Sequence, residues 1–102
     1  MNDLLDCYGA LLTKKQQAIC EYYYRQDLSL QEISELEDVS RSAIYDMIHR
    51  CKEELINYEN ILKMNASRKQ RLKYYEKLEQ HCDSQGKAIL KKCKTMEEES
   101  YD

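Results

Sequence analysis

Leu28-Ser29-Leu30-Gln31-Glu32-Ile33-Ser34-Glu35-Leu36-Glu37-Asp38-Val39-Ser40-Arg41-Ser42-Ala43-Ile44-Tyr45 decides the fold of this chain. Ser29 followed three positions on by Glu32 is a capping box, and it opens a short helix whose Leu30, Ile33 and Leu36 are expected to face inward. Glu37-Asp38-Val39 is the turn, and Ser40 is a good N-cap for the next helix. In that helix Ile44, Ile48, Cys51 and Leu55 recur at i, i+4, i+7 and i+11, an apolar stripe. The opposite face carries Arg41, Ser42, Tyr45, Asp46, His49, Lys52 and Glu53. A short helix, a tight turn and a second helix form the layout of a helix-turn-helix. This motif holds one helix out from a compact body so that it can lie in a groove.

Working outward, Thr13-Lys14-Lys15-Gln16 is a second capping box, preceded by Leu11 and Leu12 as a hydrophobic staple. It opens a helix that runs to about Gln26 with Ala18, Ile19, Tyr22 and Tyr23 near helical spacing. Of Tyr22-Tyr23-Tyr24, two are expected in the core and one at the surface. An initial helix over Asp3–Leu12 places Leu4, Leu5, Tyr8, Leu11 and Leu12 on one side. After Tyr58 the composition changes: Lys63–Arg71 is nearly all polar. Then Leu72, Tyr75, Leu78 and Cys82 restore a stripe, and a break at Asp83-Ser84-Gln85-Gly86 is ended or capped by Ser84 or Gly86. Ala88, Ile89 and Cys93 mark a weak final helix, and Met96 to Asp102 reads as a frayed acidic tail. With no Pro and only two Gly among 102 residues, the usual breakers are missing. The fold class is all-α: a helix-turn-helix domain at 1–60 and a basic helical extension with an acidic tail at 61–102.

Charge is divided along the chain. Residues 1–60 carry six Lys/Arg against twelve Asp/Glu, whereas 61–96 carry ten Lys/Arg against three, and the last six residues return four negative charges. The motif that usually reads DNA therefore sits in the acidic half. DNA affinity depends mainly on neutralising phosphates, and over Ser40–Asn57 the cations Arg41, Arg50 and Lys52 are matched by Asp46, Glu53 and Glu54.

Five cysteines, an odd number without a CxxC pair, fit a reducing cytosol better than secretion. The acidic start Met1-Asn2-Asp3-Leu4-Leu5-Asp6 is not a signal peptide, and no window approaches the ~20 apolar residues that span a bilayer. The expected localisation is cytoplasmic, with no direct membrane insertion.

Leu12-Thr13-Lys14-Lys15-Gln16-Gln17, Tyr22-Tyr23-Tyr24, Asp27-Leu28-Ser29-Leu30-Gln31-Glu32-Ile33 and Val39-Ser40-Arg41-Ser42-Ala43-Ile44-Tyr45-Asp46 together resemble region 4 of bacterial sigma factors. They are more closely similar to the small YlxM-like helix-turn-helix family. The Ser-Arg-x-Ala-x-Tyr-Asp run at 40–46, followed by Glu54-Leu55-x-x-Tyr58-Glu59, favours the latter. The likeness covers residues 3–62 well and the tail loosely. A Gly usual in the turn is Asp38 here, and a usual small Ala is Ser34; Asp tolerates left-handed backbone and Ser is small, so both keep the fold. YlxM-like proteins are encoded beside the signal recognition particle GTPase genes. The resemblance therefore implies a regulatory or accessory role in that protein-targeting pathway, with the particle's GTPase or RNA as candidate partners.

Two surfaces are candidates for contact. A sigma-like recognition helix presents Ser40, Arg41, Ser42, Tyr45, His49 and Lys52. Arg can pair with guanine through two hydrogen bonds, and Ser or Tyr can reach phosphates. The competing reading keeps the motif as a scaffold whose exposed helix meets protein. The extension offers Lys63, Arg68, Lys69, Arg71, Lys73 and Lys77, cations that can track phosphates while Tyr74 or Tyr75 stacks on unpaired bases. Its simpler reading is a solvated helix that neutralises the acidic domain. The apolar stripe of the extension is too thin for its own core, so it packs on the first domain, on a partner, or on a second copy in a homodimer. No catalytic, cofactor or metal site is signalled. His49 and His81 lack a ligand set at zinc spacing, there is no Gly-rich phosphate loop, and no base is positioned for a Cys nucleophile.

Overall fold

A computed structural model describes residues 1–99, and these are all-helical with no strand among them. The helices are α1 (Asn2–Tyr8), α2 (Lys14–Cys20), α3 (Leu30–Glu37), α4 (Arg41–Leu62), α5 (Met64–Glu79) and α6 (Ser84–Glu99). They form two compact units, Met1–Leu62 and a second that begins at Lys63.

Both capping boxes form. Thr13 Oγ1 accepts from the Gln16 amide at 3.2 Å while Gln16 Oε1 accepts from the Thr13 amide at 2.9 Å, and Ser29 with Glu32 repeats the exchange at 3.1 Å each way. Each satisfies two of the amides that a helix start leaves without an intrahelical partner. Ser40 Oγ accepts from the Ala43 amide at 3.1 Å and so caps α4.

The stripe Ile44, Ile48, Cys51 and Leu55 is buried along α4, and α4 continues to Leu62. Its two halves serve two apolar clusters. The first half gathers Ile44 and Ile48 with Ile19 of α2 and Ile33 of α3. The second half gathers Cys51 and Leu55 with Leu5 and Tyr8 of α1, Leu12, and Cys20 of α2. Tyr24 packs against both. Each fully buried Ile or Leu contributes roughly 1.5–3 kcal/mol of transfer free energy before conformational entropy is subtracted, which makes this stripe the spine of the unit.

Several sequence expectations are corrected. The first helix ends at Tyr8 and tightens into a 3₁₀ turn over Gly9–Leu11 rather than continuing to Leu12. That change of period leaves Leu11 exposed while Leu12 drops into the core. On α3 the inward face is Leu30, Ile33, Ser34 and Glu37, not Leu30, Ile33 and Leu36; Leu36 is 60% exposed. At about 100° per residue the pattern i, i+3, i+4, i+7 stays on one face, whereas i+6 falls about 120° away. Ser34 fits there because it is small and its hydroxyl donates to the Gln31 carbonyl at 3.1 Å.

After Cys20 the backbone widens into a π-helical turn over Glu21–Arg25. The wider turn half-buries Tyr22 and Tyr24 on the core and leaves Tyr23 exposed, packed edge-on against Tyr24 with centroids 4.9 Å apart. Arg25 then ties the turn to α1 through Asp6 at 2.6 Å.

The second unit is an antiparallel pair, α5 against α6. Arg71 donates from Nε and a terminal nitrogen to the two Glu97 oxygens at 2.6 and 2.9 Å, and Lys94 donates to Glu79 at 2.7 Å. The inward stripes differ from those expected. Leu72, Tyr75 and Glu79 turn inward on α5, Cys82 is half-buried in the connection that follows, and Leu78 is exposed. On α6 the anchor is Leu90, 5% exposed, while Ala88 and Ile89 face out. Asp83, rather than Ser84 or Gly86, caps the start of α6, its carboxylate accepting from the Gly86 amide at 2.8 Å. Gly86 itself answers a steric need, since a Cβ there would stand 2.8 Å from Cys82 Cβ. The expected frayed tail is helical as far as Glu99, because Glu97 is held by Arg71; residues 100–102 of that tail lie outside the described residues.

Candidate nucleic-acid or protein interface

The turn between α3 and α4 sets the site. Asp38 ends α3 in the left-handed conformation (φ 53°, ψ 45°), its amide bonded to the Ser34 carbonyl. That residue lets the chain reverse within three positions and start α4 at Arg41. The outward face of α4 is as expected: Arg41, Ser42, Tyr45, Asp46, His49, Lys52 and Glu53 are all exposed. Ser40 and Ser42 hydroxyls share a 3.2 Å hydrogen bond, so the cap also orders the first turn, which holds no acidic residue. Tyr45, 58% exposed, stacks with His49 at 6.2 Å between centroids and 5° between planes, and His49 Nε2 lies 3.2 Å from Glu53 Oε1.

Two adjoining depressions run along this face. One, of about 540 Å³, is lined by Leu30, Arg41, Ser42 and Tyr45. The next shares Leu30 and Tyr45 and adds Tyr23, Tyr24, Ile48, His49 and Lys52. Leu30, Tyr23 and Tyr24 are contributions that the periodicity of α4 could not reveal. The sequence signals for them were the Tyr triplet, whose one outward ring now has a place, and the apolar stripe of α3 that begins at Leu30.

The six cations expected on the extension do not share one surface. Lys63 takes the left-handed conformation (φ 53°, ψ 30°) and breaks what would otherwise be one helix. Arg68 is half-buried, and Arg71 is engaged by Glu97, whose carboxyl is held below the usual range by the Arg71 hydrogen bonds first and by the nearby Arg68 charge as well. Lys69 and Lys73 are exposed, and Lys77 Nζ sits 5.9 Å above the Tyr74 ring. On α6, Lys87, Lys91 and Lys94 border one concavity with Glu79 of α5.

Among the described residues no group of three or more His, Cys, Asp or Glu could hold a metal ion. Cys20 and Cys51 are fully buried and hydrogen-bonded to each other; that bond first, and then burial, pushes the Cys20 thiol far above the ordinary thiol range. No helix among the described residues is long and apolar enough to cross a membrane.

A capped α3, a left-handed turn and an α4 with one buried and one open face define a helix-turn-helix protein. The chain belongs to the family UPF0122, described as "Putative helix-turn-helix protein, YlxM / p13 like", which matches residues 1–96. It is 54% identical over 66 residues to a UPF0122 protein of Clostridium novyi, a segment covering 65% of this chain and 56% of that protein. It is 45% identical over 75 residues to one of Clostridium perfringens, covering 74% of this chain and 67% of the relative. With a Clostridium kluyveri relative the identity is 50% over 66 residues, 65% and 60% of the two chains. The chain thus spans between about half and two thirds of the length of these curated relatives.

Proposed function

We propose that this is a non-enzymatic accessory protein that acts by binding through the open face of α4, in or upon the signal recognition particle pathway of the cytoplasm. The observation that carries the binding mode is the charge of that face. Along the exposed side of α4, Arg41 and Lys52 are matched in number by Asp46 and Glu53, and an aromatic and aliphatic groove runs beside the two cations. A surface of that kind suits a protein partner better than a phosphate backbone, where affinity grows with each unmatched cation. The pathway rests on the YlxM-like resemblance, and its GTPase is the proposed partner.

A second reading, a sequence-specific DNA-binding regulator, is favoured by the first turn of α4. Ser40, Arg41 and Ser42 stand there with no acidic neighbour in the turn, a suitable end to meet a phosphate or a guanine edge.

Titrating full-length protein against the purified targeting GTPase, the particle's RNA and genomic DNA fragments over a range of salt separates the two. GTPase binding that Tyr45→Ala weakens supports the accessory role. Salt-resistant, sequence-selective DNA binding that Arg41→Ala with His49→Ala abolishes would replace it with the regulator.

A further inference from the structure

The charges on the open face of α4 are sorted by side. Arg41, Tyr45 and Lys52 stand at i, i+4 and i+11, one line along the helix, while Asp46 and Glu53 stand about 100° round from it. Only the first set lines the depressions. Among the described residues no carboxylate borders either one, although the unit as a whole is acidic. Glu53 is instead directed to His49. The two depressions share Leu30 and Tyr45, the second adds Tyr23 and Ile48, and each has one cation in its lining, Arg41 in the first and Lys52 in the second. Eleven positions at about 1.5 Å each separate those cations by about 16 Å along the axis.

We infer that this groove is a docking site for an amphipathic helix of an acidic partner protein, with apolar anchors over Leu30 and Tyr45 and one carboxylate at each end for Arg41 and Lys52. A helix laid along α4 meets that spacing with acidic residues at i and i+11 and apolar residues at i+4 and i+7, all on one face. Charge complementarity selects this occupant. A basic helix would set its cations against Arg41 and Lys52, and a neutral one would leave both unpaired beside an apolar contact. The acidic surroundings of the groove narrow the choice further, since they repel acidic segments that cannot align with the two cations. The inference rests on the protein-binding reading of α4 and specifies its partner.

The test is a displayed library of helical peptides with positions i, i+4, i+7 and i+11 randomised, selected against the full-length protein, alongside binding of the purified targeting GTPase and of a random-sequence DNA duplex. Selected peptides are expected to carry Leu, Ile, Phe or Trp at the inner positions and Asp or Glu at the outer ones. Tyr45→Ala should weaken them at least tenfold. Arg41→Glu with Lys52→Glu should turn the outer preference to Lys or Arg. All three side chains are exposed, so the variants fold, as far-UV circular dichroism will confirm. Selection of basic or charge-indifferent peptides, an empty selection, binding insensitive to Tyr45→Ala, or duplex binding through this face would each overturn the inference. GTPase binding lost in Tyr45→Ala together with no acidic preference means that the peptide rule fails while the accessory role stands. Acidic peptides selected without GTPase binding means the reverse.

Discussion

Tyr8 Oη donates a 2.6 Å hydrogen bond to Glu59 Oε1 across 51 positions of sequence. The Tyr8 ring is fully buried beside Tyr58, centroids 5.9 Å apart, so α1 clamps the far end of α4 through one aromatic side chain. Tyr8→Phe keeps the ring and removes the bond to a carboxylate that is half-exposed. The expected loss is about 1 kcal/mol in chemical denaturation, against about 3–5 kcal/mol for Tyr8→Ala, which also empties the core. Equal losses in the two variants would show that the hydrogen bond, not the ring, holds α1.

Asp38 bears the left-handed turn that a glycine would adopt without cost. Asp38→Gly is therefore expected to hold or raise the melting temperature. Asp38→Val should lower stability by about 1–2 kcal/mol, because a branched Cβ crowds the carbonyl in that conformation. A destabilised glycine variant would mean that the carboxylate, rather than the backbone, matters at this position.

The five thiols divide into two classes. Cys20 and Cys51 are fully buried against each other, whereas Cys7, Cys82 and Cys93 are half-buried. Native protein titrated with a thiol-reactive chromophore at pH 8 should show three early-reacting groups, and two more that appear only with denaturant. Five equal rates would contradict the packing of α2 on α4 around this pair.

Acid should loosen the second unit through its ion pairs. The Arg71 hydrogen bonds hold the Glu97 carboxyl below its usual range, and Lys94 does the same for Glu79. A carboxylate with a lowered folded value stabilises the fold above its ordinary pKa, about 4.3 for Glu, and loses that contribution as pH falls through the folded value. Lys94 is raised by Glu79, so its share is present below the ordinary lysine value and is lost at high alkaline pH. Melting temperature between pH 5 and 3 should fall less steeply in Arg71→Ala than in the parent, and this variant should cost roughly 0.5–1 kcal/mol at neutral pH. Parallel slopes would show that the Arg71–Glu97 pair contributes nothing. Because Arg71 is committed in this way, Lys73→Glu with Lys77→Glu is the cleaner charge reversal for probing any binding by the extension.

Where a stripe is long and regular, hydropathy and face agree. Ile44, Ile48, Cys51 and Leu55 were legible because the spacing i, i+4, i+7 and i+11 admits one helix face only. The capping boxes were legible because their chemistry is local: a hydroxyl and a carboxamide or carboxylate three positions apart need no other part of the chain. In short or sparse helices hydropathy misleads. Leu36, Leu78 and Ile89 are apolar yet exposed, whereas Ser34 and Leu90 occupy the inward positions. Small size and register, not hydropathy, decided those places.

The candidate contact surface divides in the same way. Arg41, Ser42, Tyr45, His49 and Lys52 could be read from the face opposite the α4 stripe, since a helix wheel needs only the sequence. That Lys63 would turn left-handed, and that Arg71 would meet Glu97 twenty-six positions away, follow from backbone geometry and pairing that no local pattern records. By itself, then, the sequence determined an all-helical chain, its caps, the buried side of α4 and the residues opposite it, because each depends on contacts within a few positions. Only the tertiary structure decided that Tyr23 and Leu30 join Tyr45 to make a groove, because they come from three elements brought together by a π turn and by the left-handed backbone at Asp38.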